Sequence, residues 1–287
     1  MASIINTLSY GYNYLFVELA DPRASAYPLM DIPLLSACIL GFYHYFIFKL
    51  GPRIMQNRPP FDLERVLVVF NLVQIIACFY LVVQGVRYTL FKYNFFCEPI
   101  DYSSSEFALE VVRHTYIYFL LKVLDLGDTI FFVLRKKNNQ ITFLHVYHHT
   151  GMALLGWAVV KFLAGGHGIF VGILNSFVHV VMYFYYLLSA WDKKYKNNVW
   201  WKKHITQLQI VQFFILSMYF IQLLFQPNCK YPKFTVWMFV PQNIIMIILF
   251  TDFYIKQYMK PEKKLKNQST KSINNGKKQD LDDRKEA

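Results

Sequence analysis

Three histidines in one apolar stretch are the residues of this sequence best suited to chemistry. His145, His148 and His149 are spaced three and four positions apart, so on a helix the three imidazoles share one face. The apolar sequence around them is long enough to cross a bilayer. Ionisable side chains are costly at membrane depth, and they mark functional sites there by default. The pattern therefore predicts a histidine site inside a membrane rather than isolated core histidines with satisfied hydrogen bonds.

Three further apolar stretches carry polar residues at helical spacing. They contain Lys122, Asp125 and Asp128; Asn175, His179, Tyr183 and Tyr186; and Thr206, Gln209 and Gln212. If the spans alternate across the bilayer, a rise of 1.5 Å per residue places the histidines, the aspartates and the glutamines roughly 5–12 Å inside the cytosolic boundary, and His179 at about 16 Å. This shared depth predicts one buried polar chamber open to the cytosol, with an apolar bore beyond it. The alternative is that these residues only hold the helices together by hydrogen bonds.

Two kinds of histidine chemistry compete for this pattern. Membrane desaturases and hydroxylases bind two iron ions with several histidine boxes, because two irons need many imidazole and carboxylate ligands. This chain has one HxxHH box, and besides His179 its remaining histidines are scattered: His44, His114, His167 and His204. A neutral imidazole in a dry site can instead act as nucleophile and general base on an acyl thioester. The number of ligands favours acyl transfer over a di-iron enzyme. A non-catalytic lipid carrier is a third candidate, although the internal repeats typical of transporters are not evident.

The composition identifies the class of protein in which these residues lie. The 287 residues are 55% hydrophobic and 18% aromatic, with a mean hydropathy of +0.26, which is typical of a polytopic membrane protein. The net charge of +12 lies in short loops and a tail between apolar spans. Because the positive-inside rule produces this distribution, the charge does not indicate a nucleic-acid partner.

Seven apolar stretches predict an all-α protein with seven transmembrane helices. Their approximate bounds are 32–50, 66–83, 111–134, 140–163, 169–190, 205–225 and 234–255. Lysine and arginine concentrate in the odd-numbered connections and in the tail, which places the N-terminus in the lumen and the C-terminus in the cytosol.

Three regions follow from these spans. They are a lumenal N-terminal segment (1–31), a seven-helix catalytic domain (32–257) and a basic cytosolic tail (258–287), whose polar composition predicts disorder. Near the end of the tail, Arg284 and Lys285 resemble the dilysine retrieval signal of endoplasmic-reticulum membrane proteins.

Two of the four cysteines are predicted to form a disulfide. Cys38 and Cys78 lie within spans, where they should behave as small apolar residues. Cys97 and Cys229 lie in the second and sixth connections, both predicted to be lumenal, where oxidising conditions allow pairing. The alternative is two unpaired loop thiols, since pairing needs a close approach of the two loops.

Taken together, the motifs resemble the signature boxes of a known family. The segments Lys122-x-x-Asp125-x-x-Asp128-Thr129, His145-Val-Tyr-His148-His149, Asn175 with the following His179-Val-Val-Met182-Tyr-Phe-Tyr-Tyr186, and Thr206-x-x-Gln209-x-x-Gln212-Phe213 are similar, in order and spacing, to those of the ELO family of very-long-chain fatty acid elongases. The resemblance covers nearly the whole chain and looks closest to the metazoan subgroup that acts on saturated and monounsaturated chains. One departure is Asp125, because the family usually has glutamate there.

The resemblance implies a fold, an activity and a set of partners. Helices two to seven would form a barrel-like bundle around an acyl tunnel. The implied activity, an acyltransferase reaction, condenses a long-chain acyl-CoA with malonyl-CoA to give a 3-oxoacyl-CoA, CO2 and CoA. No cofactor or metal is needed. The expected partners are the two CoA substrates, the bilayer of the endoplasmic reticulum, other enzymes of the elongation cycle and a second copy of the chain.

Roles for the candidate residues follow from this activity. His148 is expected to attack the acyl thioester, while His145, His149 and His179 position it and handle protons. The charged group of the third span has both a structural and a catalytic role: Lys122, Asp125 and Asp128, of which Asp128 is placed to orient a histidine. The expected substrate-binding side chains, some as donors to the developing oxyanion, are Asn175, Tyr183, Tyr186, Thr206, Gln209 and Gln212. The candidates for the CoA phosphates are Arg135, Lys136, Lys137 and Lys203. For these four the alternative is an ordinary positive-inside charge.

Overall fold

Helices account for the regular secondary structure of the part of the chain that the structure describes. The structure is a computed structural model, and it describes residues 2–196 and 198–260. The helices are α1 (Ala2–Asn13), α2 (Pro33–Tyr45), α3 (Gly51–Met55), α4 (Glu64–Phe91), α5 (Glu106–Leu124), α6 (Leu126–Leu134), α7 (Phe143–Phe162), α8 (Ile169–Trp191), α9 (Lys193–Lys196), α10 (Val199–Ile221) and α11 (Phe234–Tyr254). The predicted retrieval signal, Arg284 and Lys285, lies outside the described residues.

Short irregular helical segments join or extend several of these helices. A π-helical segment, Phe46–Leu50, connects α2 to α3, and another, Ile255–Met259, extends α11. The first residues assigned to the predicted tail, from position 258, are therefore helical. Helices α5 and α6 are separated only at Asp125, so the third predicted span is interrupted at one of its candidate site residues.

Local sequence explains where the helices of the site begin. The side chains of Ser105, Thr142 and Asn198 each accept a hydrogen bond from a backbone N–H in the first turn of α5, α7 and α10, which satisfies donors that a helix start leaves unpaired. The turn before α8 needs glycine, because Gly165 and Gly166 have φ values of +126° and +59°, a region that other residues rarely adopt.

Each of the seven predicted spans contains helix, and five helical segments of the described chain are long and apolar enough to cross a membrane. These five are Pro33–Met55, Glu64–Phe91, Gly166–Trp191, Val199–Phe225 and Phe234–Met259. The remaining two stretches, α5 with α6 and α7, carry the buried charges and the histidine box, which lower their hydropathy. The described part of the chain is therefore all-helical, and the protein is a multi-pass membrane protein.

Helix packing brings distant parts of the sequence side by side. Helix α4 packs against α8, α10 against α11, and α5 against α7; contacts also join α4 to α5, α8 to α10 and α7 to α11. The segment of α2 and α3 lies at the edge of these helices and touches α6 through its last turns.

The predicted disulfide is present. Cys97 and Cys229 are bonded, and their Cα atoms lie 5.7 Å apart. The bond joins the loop after α4 to the loop before α11, 132 positions later. Cys78 is a buried free thiol, as expected for a small apolar residue, whereas Cys38 is an exposed one on α2.

Candidate active site

A buried ion pair lies at the centre of the predicted site. Lys122 Nζ is 2.8 Å from Asp125 Oδ2, and both side chains are at most 3% exposed. Lys122 also donates to Asn175 Oδ1 at 3.0 Å and contacts His179 Nδ1 at 3.4 Å, and its ammonium lies 5.1 Å from the centre of the Tyr118 ring. A buried charge is tolerable only when it is paired and hydrogen-bonded, and here α5 and α8 supply those partners.

The contact with Lys122 fixes the tautomer of His179. An ammonium group has donors and no acceptor, so Nδ1 of His179 accepts and the ring proton lies on Nε2. A doubly protonated ring would set two donors against each other. His179 is 4% exposed, and its Nδ1 is also 3.6 Å from Asp125 Oδ2. The Nε2–H edge is thus the part of His179 that can donate a proton or a hydrogen bond to another group.

The second oxygen of Asp125 is held by residues from two other helices. Gln74 Nε2 donates to Asp125 Oδ1 at 2.7 Å, and the Tyr183 hydroxyl lies 3.0 Å from the same atom. The Tyr183 hydroxyl is also 2.8 Å from Asp128 Oδ2. Sequence reasoning placed Tyr183, Asp125 and Asp128 in the site but did not include Gln74. Its signal was available, because Asn71, Gln74 and Cys78 are spaced three and four apart on α4, and all three are buried.

A second hydrogen-bonded chain holds the histidine box. The Tyr43 hydroxyl is 2.9 Å from Thr129 Oγ1, which is 2.8 Å from His145 Nε2. The chain can carry a proton in either direction, because each hydroxyl both donates and accepts. The His145 and His149 rings lie 4.2 Å apart, centre to centre. Tyr43 belongs to the first predicted span, where no polar spacing singles it out.

The His148 ring packs against aromatic side chains, and one of its nitrogens has no hydrogen-bond partner among the described residues. This ring packs against the aromatic rings of Phe213 and Phe250, whose centres lie 6.2 and 6.1 Å away and 5.4 Å from each other, and lies 5.5 Å from that of His149. Its Nδ1 atom is buried, with no hydrogen-bond partner among the described residues. An unsatisfied buried polar atom is costly, so this nitrogen is available to a group that the described residues do not supply.

The sixth predicted span lies outside the hydrogen-bonded network. Gln209 Nε2 is 3.6 Å from Met182 Sδ, and Thr206 donates to the Lys202 carbonyl. Gln212 is 3% exposed, and its Oε1 has no partner within the described residues. The hydrogen bonds of this span therefore do not reach the ion pair, although the prediction grouped it with the other stripes. Tyr186 is 40% exposed, with its ring against that of Tyr183 at 5.8 Å.

The candidate basic residues lie at two helix ends. Arg135 caps the C-terminus of α6, and Lys136 and Lys137 follow it, Lys136 donating to the Gln56 carbonyl at 3.4 Å. Lys203 lies in the first turns of α10.

An apolar cavity lies next to Tyr118, whose ring contacts the Lys122 ammonium. Its enclosed volume is about 70 Å³, and it extends from Tyr118 and Met152 to the glycine-rich turn before α8, on the side away from the start of α7. Its position matches that of the predicted bore. No group of three or more histidine, cysteine, aspartate or glutamate side chains in the described ranges is arranged to hold a metal ion.

Comparison with known proteins places the chain in a family. The model of the GNS1/SUR4 family, abbreviated ELO, matches residues 28–266, a range that contains every predicted site residue. The chain belongs to the ELO family. Among similar proteins, very long chain fatty acid elongase 1 of Mus musculus is 44% identical over 246 residues, which cover 84% of this chain and 87% of that protein. Very long chain fatty acid elongase 7 of Rattus norvegicus is 42% identical over 254 residues, covering 86% and 89%. Elongase 4 of Homo sapiens is 35% identical over 279 residues, covering 91% and 85%. The predicted ELO membership is thus confirmed.

Proposed function

We propose that this protein catalyses the condensing step of fatty acid elongation, in which a long-chain acyl-CoA and malonyl-CoA give a 3-oxoacyl-CoA, CO2 and CoA. The names of its relatives support a role in elongation of very long chain fatty acids. The observation that carries the chemical part of the proposal is the buried Nδ1 of His148, which lacks a partner in the described site.

The reaction would proceed in two half-reactions. In the first, the unprotonated ring nitrogen of His148 attacks the carbonyl carbon of the acyl thioester, the C–S bond breaks, and CoA leaves as a thiolate that takes up the proton released from the other ring nitrogen. In the second, malonyl-CoA loses CO2, and the resulting enolate carbon attacks the acyl-imidazole. The new C–C bond forms as the C–N bond breaks, and the ring takes up one proton, so the neutral imidazole is regenerated and no oxidant or reductant is consumed.

Two neighbouring groups are suited to stabilise the oxyanion of each half-reaction. His179 presents an Nε2–H, because its Nδ1 faces Lys122. The Oδ1 atom of Asn175 faces Lys122 and Tyr118, which directs its amide NH2 the other way. Donors held in place before the reaction stabilise developing charge most effectively. The chain Tyr43–Thr129–His145 would move protons to and from the histidine box.

The remaining features fit the same proposal. The apolar cavity would take the acyl chain, and Arg135, Lys136, Lys137 and Lys203 would bind CoA phosphates. The circular order of helix contacts, α4–α5–α7–α11–α10–α8–α4, supports a barrel-like bundle. We further propose seven spans in the membrane of the endoplasmic reticulum, with a lumenal N-terminus and a cytosolic C-terminus. Other enzymes of the elongation cycle and a second copy of the chain are the proposed partners.

A trapping experiment tests the nucleophile. The purified protein is incubated with labelled acyl-CoA in the absence of malonyl-CoA, and an acyl adduct on the protein is expected. His148→Ala should abolish the adduct, whereas His204→Ala, which changes an exposed histidine at the start of α10, should leave it intact. Release of free CoA from acyl-CoA without an adduct would count against a covalent mechanism. Stoichiometric iron in the active protein would favour the di-iron alternative.

A further inference from the structure

Glycine is concentrated around the apolar cavity. Of the twelve glycines in the chain, five line it: Gly85, Gly156, Gly165, Gly168 and Gly172.

Most of these glycines are explained by local packing or by the backbone. A Cβ at Gly85 would lie 2.2 Å from the Ile173 side chain, and one at Gly168 would lie 2.8 Å from the Tyr231 hydroxyl. Gly165 has a positive φ, whereas a Cβ at Gly156 would make only an ordinary contact, 3.5 Å from the Cα and the ring of Phe119.

Gly172, like Gly156, has no such explanation. It lies inside α8, where its backbone is helical, and a Cβ there would meet only the Tyr118 ring at 3.8 Å, an ordinary contact. Glycine inside a helix is less stable than alanine. Alanine would therefore fit at position 172, and a longer side chain there would extend into the cavity that Gly172 lines.

The residue opposite Gly172 cannot move aside to make room. The Tyr118 hydroxyl donates to Asn175 Oδ1 at 3.0 Å, and the Lys122 ammonium lies over its ring. A larger side chain at position 172 would therefore grow into the cavity. Tyr118 belongs both to the polar network and to the cavity wall, so a larger side chain at position 172 would narrow the cavity at the end that adjoins the polar network.

We propose that Gly172 determines how long an acyl chain the protein accepts. The inference rests on the proposed condensation and assigns the specificity of that reaction to one position. Gly172 lies seven residues from His179 on α8, which is about 10 Å along the helix axis. Chains that end before this level would be unaffected by a side chain at 172, whereas longer chains would lose the part of the cavity beyond it.

The test measures kcat/KM for a series of saturated acyl-CoAs that differ by two carbons, with malonyl-CoA as the second substrate. Gly172→Ala, Gly172→Val and Gly172→Leu should shorten the longest efficient substrate in that order. Short substrates should stay within about twofold of wild type. Beyond the cut-off, each methylene that cannot enter should lower kcat/KM about fourfold, which corresponds to about 0.8 kcal/mol, and each two-carbon step about fifteenfold. Gly172→Ala should also unfold at or above the wild-type temperature, because it improves the helix.

Gly41→Leu is the matched control, because Gly41 is exposed on α2 and a Cβ there meets nothing within 4 Å. It should leave the length profile unchanged. An unaltered profile in a folded Gly172→Leu protein, or an equal loss for all chain lengths, would overturn the inference and leave the condensation intact. Should the leucine variant fail to fold, the alanine variant decides in the same way, by the presence or absence of a shift. Wild-type protein that elongates no acyl-CoA would refute the proposed function, and the inference with it.

Discussion

The buried pair of Lys122 and Asp125 allows a quantitative test of what holds the site together. Lys122→Met keeps the length of the side chain but removes its charge. Asp125 would then keep Gln74 and Tyr183 on Oδ1 but lose the only ammonium that contacts it in the described site. Removal of one partner of a buried ion pair costs about 3–5 kcal/mol, because the other charge stays buried. We expect the free energy of unfolding to fall by about 3 kcal/mol, since two neutral donors to Asp125 remain.

Asp125→Asn should lower the free energy of unfolding by a similar amount, because here the positive charge of Lys122 is the one left buried without its partner. Lys122 would keep Asn175, His179 and the Tyr118 ring, but its positive charge would have no counter-charge. The double variant Lys122→Met/Asp125→Asn buries no charge, and its asparagine can still bond to Gln74. It should lie within about 2 kcal/mol of wild type, so that the two substitutions couple by about 4 kcal/mol.

The measurement is the free energy of unfolding of all four proteins in one detergent. Elongation activity should be lost in both single variants and in the double variant, because Lys122 also positions Asn175 and His179. The reasoning would be refuted by additive losses, in which the double variant is less stable than either single variant. It would also be refuted if either single substitution cost less than about 1 kcal/mol, the range of an exposed pair.

Three further predictions concern other parts of the molecule. Tyr43→Phe should lower the free energy of unfolding by about 1 kcal/mol, because one hydrogen bond is lost. It should also lower kcat, since the chain of hydrogen bonds that carries protons then ends at Thr129. An unchanged kcat would contradict a role in proton transfer. Replacement of Cys97 and Cys229 by serine should lower the free energy of unfolding by up to about 5 kcal/mol, because the bond closes a loop of 132 positions; a reducing agent should destabilise wild type and have no effect on this variant. Burial raises the pKa of the Glu98 carboxyl above its ordinary value of 4.5, so the stability linked to its neutral form is present below that value and lost as the pH rises through the folded-state pKa. Glu98→Gln should therefore raise the unfolding temperature at neutral pH and leave it unchanged at acidic pH. An equal rise at both pH values would contradict this reasoning.

The sequence alone was enough to find the groups to which we assign the chemistry. Helical spacing of His145, His148 and His149 in an apolar stretch identified the box, and the same rule found Asp125 and His179 on two other helices. Periodicity reveals these groups because one face of each helix is buried, and a polar residue is costly there. Such a residue therefore indicates a functional or structural role. The cysteine pairing was also predictable, because the charge pattern placed both loops on one side of the membrane.

Only the tertiary structure determined which of these faces meet. Spacing gives the direction of a side chain around its own helix but not which neighbour lies there, since helix order in a bundle depends on contacts between residues far apart in sequence. Gln209 has the same helical spacing as Asp125 yet faces Met182. Gln74 and Tyr43 complete the hydrogen bonds of the site from two predicted spans in which no site residue was predicted. The importance of Gly172 was equally hidden, because a missing side chain has no pattern in the sequence. The role of Gly172 can be inferred only from the structure, in which Tyr118, held by its own hydrogen bond, lies next to it.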